Sequence, residues 1–160
     1  MIELLRFDDE TAFTLMDDAA TVSAIVRRVP VERLRSTTFG DWSAVELIGH
    51  VTDVAEVFAE RVRRALEEDE PRLEAIPEGS VGDPQRDPMD LAKRLLRAHQ
   101  RLIQLLRSPG APERRAMHAE WGRVDAGHLA AYQAGHSHEH VLELSRAFPP
   151  VVSLIRDPDR

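Results

Sequence analysis

Ser43-Ala-Val-Glu46 opens the longest apolar stripe in the chain and constrains the fold more than any other feature. A Ser and a Glu three residues apart form a capping box, each side chain accepting from an otherwise unpaired backbone N–H at a helix start. Leu47, Val51, Val54, Phe58, Val62 and Ala65 then recur at steps of three and four, down to about Glu68. A helix with one apolar stripe must bury that stripe against other helices.

Three further stretches carry the same period. The first helix is expected from about Asp8 to Val29, with Phe13, Met16, Ala20, Ile25 and Val29 apolar and Pro30 as its stop. A connector, Val31 to Asp41, follows, with room for one turn at Val31–Leu34. The third helix opens with Asp87 as cap and Pro88 at its first position. Its stripe is Leu91, Leu95, Ala98, Leu102, Leu105 and Leu106, before Ser108-Pro109-Gly110 ends it. After a connector containing Trp121 and Gly122, Asp125 caps a fourth helix that runs to about Phe148, where Pro149-Pro150 stops it. The predicted fold is all-α, a four-helix bundle forming a single domain over residues 1–150 with an irregular tail at 151–160. Residues 69–87, with three prolines and two glycines, read as a loop unusually long for joining neighbouring helices.

Composition narrows the chemistry. The chain has no cysteine, so disulfides, thiolate metal sites and a cysteine nucleophile are excluded, and a metal would need nitrogen or oxygen donors. A formal charge of −7 argues against nucleic acid and anionic membranes as partners. No window approaches the ~20 apolar residues of a membrane span, and the first residues are acidic where a signal peptide needs a basic flank. The expectation is a cytoplasmic protein acting on a small molecule.

The histidines are the sharpest chemical signal. His136 and His140 are spaced i, i+4, which places both imidazoles on one face of the last helix. At 100° per residue they lie about 40° apart, and His138 points to the opposite side. Tyr132 and His128 continue the inward row with increasing drift. His50, on the second helix, sits at the edge of the apolar stripe, seven residues after Ser43, and His140 lies about as far from the end of the last helix. Antiparallel packing would bring them to one height, about 10 Å from the shared end, whereas parallel packing would offset them by roughly 9 Å. Two rings one turn apart and a third from a neighbouring helix make a three-ligand site with open positions, the pattern of a catalytic rather than a structural metal. Asp53, three residues after His50, is a candidate to accept the other ring N–H of a ligand, or else a surface carboxylate. Tyr132 is a candidate proton donor, or else a packing residue. Trp42 and Trp121 would pack the bundle end or line a pocket mouth. His99 and His118, in polar surroundings, read as solvent-facing.

Trp42-Ser-Ala-Val-Glu46-Leu-Ile-Gly-His50-Val-Thr-Asp53, followed by Gly135-His136-Ser-His-Glu-His140, resembles the DinB/YfiT-like superfamily, which is distinct from the DNA polymerase sharing the DinB name. The resemblance covers nearly the whole chain in order and length. It implies a four-helix bundle with the second and fourth helices side by side and a long linker between the second and third. It also implies that His50, His136 and His140 bind one divalent metal ion. Many relatives have a further histidine before the last ligand, where this chain has Glu139. Assigned members are mostly S-transferases for low-molecular-weight thiols such as bacillithiol, mycothiol or glutathione, and others act as metal-dependent hydrolases; homodimers are implied as well.

The reading that follows is a metal-dependent enzyme, a thiol S-transferase in the first instance and a hydrolase as the alternative. Nitrogen donors suit Zn, Ni, Fe or Co alike. A non-catalytic, metal-stabilised stress-response bundle is a different class of answer, in which removing metal would cost stability rather than activity. A helical dimerisation protein with incidental histidines would bind no metal.

Overall fold

A computed structural model describes residues 2–76 and 83–150. The tail expected at 151–160 and the middle of the expected linker, 77–82, lie outside the described residues.

Four long helices carry the fold: α1 (Asp9–Arg28), α3 (Ala44–Glu67), α4 (Pro88–Leu105) and α5 (Ala126–Ala147). Their ends follow the caps legible in the sequence. Asp8 accepts from Thr11 N, Asp87 from Met89 N and Asp125 from His128 N. The capping box of Ser43 and Glu46 is complete in both directions. A short helix, α2 (Val31–Ser36), occupies most of the connector in which one turn was expected.

Side-chain pairs fix the helix directions. His50 meets His136 and His140, while Phe58, two turns further along α3, meets Tyr132, one turn before His136 on α5, so α3 and α5 are antiparallel. Arg94 on α4 reaches Glu56 and Arg101 reaches Glu60, so α3 and α4 run parallel. On α1 and α5, Asp18 meets Ser137 and Arg28 meets Phe148, again a parallel pair. Parallel neighbours in sequence need a connection that travels back the length of the helix, about 36 Å for the 24 residues of α3. That return is the reason for the long linker.

Short strands tie the ends. β1 (Thr38–Phe39) and β2 (Trp42–Ser43) pair antiparallel around Gly40-Asp41, with Gly40 at φ 61°. β3 (Arg72–Leu73), inside the expected loop, pairs in parallel with β4 (Arg115–His118), which forms a hairpin with β5 (Gly122–Asp125) within the connector expected before the last helix.

Two apolar clusters stack along the bundle. One gathers Val22, Ile48, Leu91, Leu144 and their neighbours, and the other Phe58, Val62, Leu102, Val124 and Leu129. The predicted stripe of α3 is buried throughout. On α1 the buried arc is Leu15, Ala19, Val22, Ile25 and Val26; Phe13 is 68% exposed and Ala20 is exposed, a correction to the expected stripe. That arc also includes Asp18, a polar residue that hydropathy places outside.

Candidate metal centre

The antiparallel contact of α3 with α5 brings three imidazoles together. His50, His136 and His140 each offer a ring nitrogen, and these nitrogens lie within 4.8 Å of one another. The ring centroids are 5.0 Å (His50–His136), 5.4 Å (His50–His140) and 4.7 Å (His136–His140) apart, all edge-to-face. Among the described residues this is the one group of three or more potential metal ligands.

Nε2 of His50 and Nε2 of His136 face each other at 3.1 Å. His140 donates from Nδ1 to Glu143 at 3.0 Å, which leaves its Nε2 lone pair free. Three nitrogens at ~2.0–2.1 Å from one tetrahedral ion sit ~3.3 Å apart, so small ring rotations suffice to fit this set. The donor chemistry suits a borderline cation and includes no carboxylate. Burial lowers the pKa of His136 to about 4, helped by its two neighbouring rings, and lowers that of His50, with His140 adding to the effect. Both therefore stay neutral near pH 7, the form that can ligate.

The other residues singled out in the sequence fall in different places. Asp53 orients no ring: its carboxylate takes a bidentate pair from Arg86, at 2.8 and 2.9 Å. The carboxylate bonded to one of the three rings is Glu143, one turn after His140. That i, i+3 spacing was present in the sequence but was not singled out. Tyr132 is 37% exposed and packs against Phe58 and Trp121, at 5.3 and 4.5 Å between centroids, so its observed contacts are packing contacts. Trp42 stands edge-on to His50 at 4.7 Å and walls the centre. Trp121 belongs to the far end of the bundle, stacked on His118 at 4.0 Å. His138 points outward, as expected, and meets Asp18 at 3.1 Å. His128 faces inward but is turned to the amide of Leu5, which donates to its Nδ1.

His99 and His118 are corrections, since both are buried. His99 donates from Nδ1 to the Leu15 carbonyl and faces Gln133 with Nε2. It lies four residues after Leu95 and three before Leu102, on the apolar stripe of α4, so its position was readable from the period.

The fold and the site together define a crossover-linked four-helix bundle with a three-histidine centre between antiparallel helices. The chain belongs to the DinB superfamily, whose profile matches residues 15–144. Among solved structures it is similar to YfiT from Bacillus subtilis, a probable metal-dependent hydrolase with an unusual four-helix bundle topology. The TM-score is 0.73 at 22% identity, over 87% of this chain and 86% of that one, a likeness of fold. No curated protein matches the chain.

Proposed function

We propose that this chain is a metal-dependent enzyme in which His50, His136 and His140 hold one divalent cation, and that it transfers a low-molecular-weight thiol to a small electrophile. The observation that carries the proposal is the convergence of three imidazoles, none of them fully buried, with no carboxylate among them. When bound, such an ion keeps its full charge and lowers the pKa of a coordinated thiol or water.

Thiol transfer suits the residues around the centre. Hydrolysis needs a group that moves a proton to the leaving atom. Among the described residues, three carboxylates near the centre are engaged, Asp53 with Arg86, Glu143 with His140 and Glu46 in the capping box, and Glu139, beside His140, is turned to solvent. A thiol held by the ion would, with its pKa lowered, release its proton to solvent and so needs no side chain as base. Glu143 fixes the tautomer of His140, and Trp42 covers His50 on one side, shielding that ring from water.

Hydrolysis remains the second reading, favoured by the likeness to YfiT, although fold does not decide chemistry. The further expectations that belong with this proposal are a single domain over 1–150, a homodimer and a cytoplasmic setting.

Metal-loaded, tag-free protein incubated with an electrophilic bimane and, separately, bacillithiol, mycothiol or glutathione tests the proposal. Conjugate formation above the uncatalysed rate, lost in His136→Ala, is expected. Cleavage of activated esters or amides without conjugation would put hydrolysis in its place. Neither activity in metal-replete protein would favour the non-catalytic bundle.

A further inference from the structure

The end of the bundle remote from the histidine centre holds a second polar cluster that the proposed reaction does not use. Arg61 on α3 is 8% exposed, yet no carboxylate among the described residues lies within ion-pair distance of it. Its Nη2 donates to the Glu74 carbonyl, and its Cζ stands 5.7 Å from the Phe58 ring. A buried cation normally has a counter-charge.

His118 makes the imbalance sharper. It is 4% exposed, and its Nδ1 accepts from the amides of Glu120 and Trp121 at 3.1 and 3.2 Å. With Nδ1 accepting, the neutral ring carries its proton on Nε2. That nitrogen faces Nη1 of Arg61 at 3.5 Å. Two donors therefore point at each other with no acceptor between them. His128 adds a third: its Nδ1 accepts from Leu5, and its Nε2 is buried without a partner.

Arg61 also lines a cleft of about 490 Å³ along α3, through which a ligand would reach its guanidinium. The carboxylates of that cleft are each matched to another arginine: Asp53 to Arg86, Glu56 to Arg94 and Glu60 to Arg63. Arg64 is matched to Glu68. Among the described residues that line the cleft, Arg61 is the charge left without an ion-pair partner, the Glu74 carboxylate acting on it only at longer range.

We propose that Arg61 and His118 form a binding site for a carboxylate, one oxygen of which accepts from both Nη1 and Nε2–H. Donors 3.5 Å apart suit a single oxygen at ordinary hydrogen-bond length from each. Arg61 lies on the same face of α3 as His50: eleven residues come within about 20° of whole turns and span ~16 Å. Exposed Val57 lies between them on α3, and exposed Tyr132 on α5 beside Phe58. A small molecule whose reacting atom sits at the histidine centre and whose carboxylate lies ~16 Å away would reach both. That span rests on the proposed metal reading; the carboxylate site itself does not.

The test uses a Trp42→Phe background, which leaves Trp121, stacked on His118, as the one fluorophore of its kind. Sodium acetate and, in parallel, inorganic phosphate are titrated at constant ionic strength, with far-ultraviolet circular dichroism as a check on folding. Acetate should change Trp121 fluorescence saturably, with affinity at least tenfold weaker in Arg61→Gln and within a few-fold of the parent in Arg61→Lys. His118→Ala should show the same loss, which keeps the test decisive if Arg61→Gln fails to fold. Acetate binding should persist in His136→Ala, so a failed metal site and a failed carboxylate site give different results. No saturable response to acetate, a response to phosphate alone, or one unchanged in both Arg61→Gln and His118→Ala would overturn the proposal.

Discussion

Nε2 of His50 lies 3.1 Å from Nε2 of His136, although 86 residues separate them in the chain. Two neutral imidazoles at that distance need either a proton or a cation between their lone pairs. His140 adds a third ring whose Nδ1 is occupied by Glu143, leaving Nε2 for the shared centre. The arrangement is held by the antiparallel contact of α3 with α5, which the return linker makes possible.

Phe58 is the packing residue on which that contact most depends. It is fully buried and lies against both Tyr132 and Trp121. Phe58→Ala should destabilise the fold by about 3–5 kcal/mol, read as a lower denaturant midpoint with little change in slope. A loss below 1 kcal/mol would mean the interface is far looser than described.

Arg86 fastens the end of the linker to α3 through Asp53, with its guanidinium also over Gly49. The pair is partly exposed, so Arg86→Ala should cost about 1 kcal/mol or less. Metal content should be unchanged in Asp53→Asn, because no ligand ring is bonded to that carboxylate. Loss of metal in Asp53→Asn would return Asp53 to the role of orienting His50.

Low pH should weaken the fold in a defined window. Burial of His99 holds its pKa at about 4, below the 6.5 of an exposed ring. Between those values the unfolded chain binds the extra proton, so the stability from keeping His99 neutral is fully present above pH 6.5. It falls as pH drops toward 4 and levels off below, with up to about 3 kcal/mol at stake. Chemical denaturation of the His136→Ala variant across pH 4–7.5 checks this without the metal centre, and adding His99→Leu should flatten the slope. An equally steep slope with leucine in place would contradict the assignment.

Much of this architecture was legible because helix caps and apolar periods are local signals. Ser43, Asp87, Pro88 and Asp125 mark helix starts, and the stripe from Leu47 to Ala65 is buried as read. The pairing of His50 with His136 and His140 followed from helix arithmetic once α3 and α5 were set antiparallel. The strands were missed because segments of two to four residues carry too little period to read. Gly40-Asp41 between Phe39 and Trp42 was the one available hairpin signal. His99 and His118 have polar neighbours in sequence, which point to solvent, whereas their places in the fold bury them. His99 lies on its helix stripe, and His118 is buried by a strand pairing with Leu73, 45 residues earlier, which no local pattern reports. Asp53 fell on the correct helix, but its partner came from the linker, whose path the sequence did not specify.

Metal content by inductively coupled plasma mass spectrometry, on tag-free protein and its His136→Ala variant, tests the central claim most directly. The account predicts about one divalent ion per chain in the parent and almost none in the variant, with both retaining their helical circular dichroism. A parent that stays empty after incubation with zinc, nickel or iron, or a variant that binds as much as the parent, would contradict it.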